Sequence, residues 1–256
     1  MSRNTQVSVG GSINNALCIT KATQSENMNE ANLYVCNNDE SIKVIELPTM
    51  KKVGELKMPF AVNNVQISPD GRWLVAVGDS SQVLVYTIRD TPNSPGSGIK
   101  YEKMAMVRGS ESAFSCSWNH LSNVFAVGFQ DGTVKVWDTR FILRDDQREC
   151  MAAIHASQKG KRSNEACRSV KFCTDSSTDL LAFSEHLSVV NLVDCRNWMD
   201  RQSIRLCPPH TDLSITGLTF GAGSESNCLY VGLENCVVEY EINLMKRKSF
   251  PCASFN

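Results

Sequence analysis

The sequence predicts an all-β fold made from one unit of four short strands, used about five times. Three observations predict it. A strand–turn–strand pattern recurs along the chain, further apolar stretches flank each copy on both sides, and no segment carries a convincing helical period.

The clearest copy is FAVGFQDGTVKVWDTR, residues 125–140. A short apolar run leads into Asp131-Gly132, a tight-turn pair, and then into the alternation Val134-Lys135-Val136-Trp137. The same pattern reads YVCNNDESIKVIE at 34–46, VAVGDSSQVLVYT at 75–87, LAFSEHLSVVNLVD at 181–194 and YVGLENCVVEYEI at 230–242. The equivalent large residues, Ile45, Tyr86, Trp137, Val193 and Tyr240, stand 41 to 56 residues apart. Internal periods of this size belong to solenoids, propellers or arrays. Upstream of the hairpins lie NALCIT, VNNVQIS, SAFSCSW, CRSVKFC and SITGLTF; downstream lie KVGELKM, YEKMAMV, CMAAIHA, QSIRLC and KRKSF. Units of about 12–58, 60–108, 111–156, 165–208 and 212–252 follow, within a single domain spanning 1–256. Ser68-Pro69-Asp70-Gly71 is a turn in which Pro presets φ and Gly closes the chain reversal. The polar stretches at 90–98 and around 144–165 read as surface loops that lengthen the period.

Four antiparallel strands at this repeat, with a Trp137-Asp138 dipeptide closing the third strand, resemble a WD-repeat β-propeller (WD40). The resemblance implies that Trp137 packs between neighbouring sheets and that Asp131 joins a hydrogen-bond network with a His and a hydroxyl. That set is eroded here: Gly109-Ser110 stands where Gly-His is expected, and FAVG brings no hydroxyl. His210 in His210-Thr211-Asp212 resembles the Gly-His start of the last blade. Two readings of the blade number stay open: a compact five-bladed ring, or the C-terminal portion of a longer, seven-bladed propeller.

A closer resemblance rests on TDLLAFSEHLSVVNLVDCRNW at 178–198, with Asp-Leu-Leu, Phe-Ser-Glu-His and Val-Asp-x-Arg. It is similar to a short region of a poorly characterised WD-repeat family of fungi and plants, whose members generally extend further at the N-terminus. This favours N-terminal truncation. One yeast member is a substrate receptor of the GID ubiquitin ligase, and the resemblance implies such a role without matching receptor residues. Trp137-Asp138-Thr139-Arg140 also resembles the WD-x-Arg box by which WD-repeat receptors dock on a cullin-RING ligase adaptor. Asp194-Cys195-Arg196 is a copy lacking the Trp. Arg140 and Arg196 are therefore candidate partner contacts, against the plain reading of solvated arginines at a blade edge. Trp198, in RNWMDRQ between Arg196 and Arg201, is either an interface anchor or a side chain packed under its own loop.

Composition excludes several alternatives. The chain is 42% hydrophobic and 21% charged with a net charge of -1, which points to neither nucleic acid nor a membrane surface. No apolar run approaches the ~20 residues of a bilayer span, and the N-terminus lacks a signal-peptide pattern. Eleven cysteines without a CxxC pair read as reduced thiols in cytoplasm or nucleus. The basic clusters Lys159-Gly160-Lys161-Arg162 and Lys246-Arg247-Lys248 are short and lack interleaved aromatics. No Gly-x-Ser-x-Gly elbow, metal-ligand cluster or phosphate loop is present, so no catalytic, cofactor or metal residue is assigned. His186 beside Glu185 reads as a solvated hairpin pair. The expectation is a non-enzymatic protein-interaction scaffold, in its sharpest form a ubiquitin-ligase substrate receptor; the alternative is a hydrolase or lyase working in the propeller channel.

Overall fold

The computed structural model describes residues 8–11, 13–21, 31–90, 99–142, 144, 149–156, 166–175, 178–208, 211–222 and 227–243. Sheet 1 holds β1 (Asn14–Lys21), β2 (Ala31–Asn37), β3 (Ser41–Leu47) and β4 (Lys51–Lys57). Sheet 2 holds β5 (Val62–Ile67), β6 (Trp73–Gly78), β7 (Gln82–Asp90) and β8 (Ile99–Arg108). Sheet 3 holds β9 (Ala113–Trp118), β10 (Val124–Phe129), β11 (Thr133–Asp138) and β12 (Ala152–His155). Sheet 4 holds β13 (Ser169–Phe172), β14 (Leu180–Ser184), β15 (Val189–Asp194) and β16 (Arg201–Arg205). Sheet 5 has three strands among the described residues, β17 (Ile215–Phe220), β18 (Cys228–Leu233) and β19 (Val237–Glu241). Each sheet is an antiparallel meander, as short hairpin turns demand.

All five equivalent positions read from the repeat fall on third strands: Ile45 on β3, Tyr86 on β7, Trp137 on β11, Val193 on β15 and Tyr240 on β19. The first strands pack in chain order, β1 on β5, β5 on β9, β9 on β13 and β13 on β17. Among the described residues no comparable packing joins β17 back to β1.

Because side chains alternate faces along a strand, every internal sheet feeds two interfaces. In β10, Phe125, Val127 and Phe129 pack toward sheet 2, whereas Ala126 packs toward sheet 4. In β6, Val75 and Val77 face sheet 3, and Leu74 and Ala76 face sheet 1. Four apolar layers result, one at each of the four sheet–sheet junctions. Trp137, 1% exposed, anchors the junction of sheets 2 and 3, stacked on Phe125 at 5.5 Å and edge-on to Phe129 at 6.3 Å. Gly128 keeps the opposite face thin: a Cβ there would come 2.9 Å from the Cys167 carbonyl oxygen. Polar groups tie the same junctions. Trp118 Nε1 donates to the Gln66 carbonyl at 3.1 Å, and the Val170 and Phe172 amides donate to the Ser115 and Ser117 hydroxyls at 3.1 and 3.0 Å.

Several expectations change. Asp131 accepts from the Thr133 amide at 3.0 Å, closing its own turn with Gly132 at φ 77°, and no wider network through it is found among the described residues. Glu185 is not solvated; it is buried and accepts from Asn191 Nδ2 at 2.8 Å. The neighbouring His186 Nδ1 accepts from Arg168 Nε at 3.0 Å, since the turn lies beside the start of β13. A helical turn, α1 (Thr139–Ile142), follows β11 where the sequence shows no helix. The ten described cysteines are free, most of them buried, with Cys236 exposed. His210, the lysine-rich clusters at 159–162 and 246–248, and the last downstream stretch lie outside the described residues.

Candidate functional site

Sheets 3 and 4 end their third strands in the same device. Asp138, the last residue of β11, is 3% exposed, and Asp194, the last of β15, is 4% exposed. Asp138 Oδ1 accepts from the Arg140 amide at 2.9 Å, which turns the chain directly after the strand. The guanidinium then folds back on the carboxylate, Nε donating to Oδ1 at 2.9 Å and Nη2 to Oδ2 at 2.5 Å. At Asp194 the corresponding distances from Arg196 are 3.0, 2.9 and 2.5 Å. The charged ends reach outward: the side chains of Arg140 and Arg196 are 65% and 44% exposed.

Burial opposes ionisation of Asp138, but the hydrogen bonds and charge of Arg140 outweigh it and hold the carboxyl below its usual range. The same bonds raise the pKa of Arg140, and those from Asp194 raise that of Arg196.

Both pairs are fixed by neighbouring turns. The Thr139 hydroxyl donates to the Asn123 carbonyl at 3.1 Å, holding α1 against the turn between β9 and β10. In that turn Asn119 Oδ1 accepts from the Asn123 and Val124 amides at 3.1 and 3.0 Å, an Asx-type closure. On sheet 4, Asn197 Oδ1 accepts from the Met199 and Asp200 amides at 3.0 and 3.1 Å. The Trp198 amide donates to the Asp194 carbonyl at 2.9 Å, and Trp198 itself adopts a left-handed φ of 61°. Its ring turns inward, edge-on to Phe172 at 6.2 Å, against the apolar layer between sheets 3 and 4. Of the two readings of Trp198, packing beneath its own loop is the dominant one.

The two turns face each other across a groove of about 290 Å³. Arg140, Arg196 and Trp198, chosen from sequence as separate candidates, all line it, together with Asp138, Asn119, His120, Leu121, Met151 and Asp179. Exposed apolar side chains belong to its lining: Leu121 at 64% and Met151 at 45%. The sequence reading missed Leu121, Met151, Phe172 and Asn119. Their only signal was the duplication of Asp-x-Arg, because the lining comes from turns of two different sheets. Asp131 and Trp137 belong to the scaffold beneath, away from this lining.

No histidine joins a catalytic constellation among the described residues. His120 lines the groove, His155 Nδ1 lies 3.3 Å from the Thr133 hydroxyl, and His186 holds Arg168. Groups of three or more His, Cys, Asp or Glu able to hold a metal are also absent among the described residues.

The WD domain, G-beta repeat matches residues 50–87 and 102–138. Each match begins at an outer strand and runs through the first three strands of the next sheet, the repeat phase of this architecture. A second model, an uncharacterised protein domain (DUF2415), matches residues 165–205, the span of sheet 4. Two fungal proteins are similar. The uncharacterised protein C4G3.03 of Schizosaccharomyces pombe is 28% identical over 228 residues, covering 86% of this chain and 61% of its own length. The uncharacterised protein YLR149C of Saccharomyces cerevisiae is 28% identical over 227 residues, covering 77% of this chain and 29% of its own length. The chain therefore spans less than two thirds of either relative. It is an all-β protein bearing WD repeats, consistent with a β-propeller, whose fungal relatives are uncharacterised.

Proposed function

We propose that the protein is a non-enzymatic interaction scaffold whose working surface is the groove between sheets 3 and 4. The observation that carries this reading is the convergence of two exposed guanidiniums, from Arg140 and Arg196, on one apolar-flanked groove. Rigid sheets hold both turns, so a partner meets preformed donors and little ordering cost. WD-repeat domains generally bind other proteins, which agrees with the matches at 50–87 and 102–138. The sharper form of the proposal is a substrate receptor of a ubiquitin ligase, with Arg140 in the WD-x-Arg position docking the ligase adaptor. It draws on the sequence resemblance and on the exposure of Arg140. The remaining proposals are a cytoplasmic or nuclear location, a five-unit single domain taken from a longer propeller, and a secondary role for Trp198 as a wall of the groove.

Affinity purification with mass spectrometry, run on the chain and on Arg140→Ala, tests this. The expected result is one or more ligase subunits recovered with the wild type and an adaptor lost from the variant. Recovery of no ligase subunit removes the receptor role, and an unchanged set of partners in the variant removes docking through Arg140.

A further inference from the structure

We infer that the groove accepts an uncharged polypeptide segment, an apolar side chain flanked by main-chain carbonyls, and discriminates against acidic or phosphorylated segments. This rests on the groove being a docking surface and specifies what docks there.

Exposed arginines ordinarily suggest an anionic partner, but here the charge is already matched. Asp138 and Asp194 each take Nε and Nη2 of their own arginine, and both carboxylates are buried beneath the guanidinium they neutralise. Around Arg196 the balance tips further, because Asp179 and Asp200 also act on its charge. An incoming carboxylate or phosphate meets these fixed negative charges and gains little Coulomb energy. The hydrogen-bonding capacity is a separate matter. A guanidinium carries five N–H donors in a rigid fork, and Nη1 of each arginine makes no hydrogen bond to an acceptor among the described residues. A neutral carbonyl satisfies such a donor without bringing charge. Leu121 and Met151 supply the apolar contact beside it, Leu121 being 64% exposed.

Panning a random dodecapeptide phage library against the chain, and counter-panning against Arg140→Ala/Arg196→Ala, tests the inference. Selected peptides are then titrated against wild type, the double Ala variant and Arg140→Lys/Arg196→Lys, at ~0.05 and ~0.5 M salt. The Lys variant keeps each ion pair and so guards against loss of fold, while removing the fork of donors. The expected result is enrichment of neutral peptides with a central apolar residue. Their affinity falls tenfold or more in both double variants and changes less than about threefold with salt. Enrichment of acidic peptides, steep weakening by salt, or full binding by the Lys variant overturns the inference while leaving the groove a docking surface. Peptides that bind wild type and the double Ala variant alike overturn both.

Discussion

Sheets 3 and 4 solve the same surface problem over different interiors. Sheet 3 closes β11 with Trp137, which stacks on Phe125 and fills the layer shared with sheet 2. Sheet 4 puts Val193 at that position, facing the smaller Ala126, Val134 and Val136 of sheet 3, and recovers aromatic volume from the turn through Trp198 on Phe172. Yet the Asp-x-Arg pair after each strand keeps the same bonds within 0.1 Å, 2.9 against 3.0 Å for the amide and 2.5 against 2.5 Å for Nη2. The pair is thus independent of the tryptophan it accompanies in sheet 3. Asp70 and Arg72 show that the pairing is a local property of a turn, with Nε to Oδ2 at 2.7 Å, but Arg72 does not line the groove. What distinguishes Arg140 and Arg196 is where the two turns meet.

The comparison yields expectations of decreasing size. Trp137→Ala removes a fully buried aromatic and is expected to cost ~3–5 kcal/mol, against ~2 kcal/mol for Val193→Ala, measured by urea unfolding. Equal costs would show that the two interiors are less different than their packing indicates. Gly128→Ala is expected to cost about 1–3 kcal/mol, because Cys167, just ahead of β13, leaves no room for a methyl. Gly232, fifth in β18 as Gly128 is in β10, has Thr216 and Gly217 of its own sheet as its nearest neighbours, the closest at 3.0 Å, so its alanine variant should change stability by less. A reversed order would contradict the close approach of sheets 3 and 4.

The pKa of Asp138 is lowered in the fold, so the stability it contributes is present above the unfolded value near 4 and fades as pH falls through the lower folded value. Asp138→Asn should therefore flatten the loss of stability below about pH 4 in thermal melts across pH. An unchanged acid limb would mean that the pair contributes nothing to the fold. The smallest effect at neutral pH is expected for Arg140→Ala, a slight lowering of the melting temperature in the same melts, since the guanidinium is mostly solvated. A much larger loss would recast Arg140 as a structural residue.

The sheets were legible because strand alternation is a local signal. Ile45, Tyr86, Trp137, Val193 and Tyr240 reach third strands without any knowledge of their neighbours. Arg140, Arg196 and Trp198 were legible as residues, through the duplicated motif and an aromatic in a polar turn. Their union was not, since Asn119, Leu121 and Met151 come from one sheet and Asp179 from the next, and turn residues carry no period. Glu185 was misread for a related reason: its hydrogen bond to Asn191 crosses the hairpin and buries a charge that composition alone assigns to solvent. The short α1 escaped because four residues cannot display a helical period.

The central claim is that binding happens at the groove, and hydrogen–deuterium exchange of the chain with and without a captured partner tests it most directly. Slowed exchange is expected in the turns at 119–123, 138–142 and 195–200, and it should vanish with Arg140→Ala/Arg196→Ala. Protection that instead appears around Arg168 and His186, with those three turns unchanged, would contradict the account.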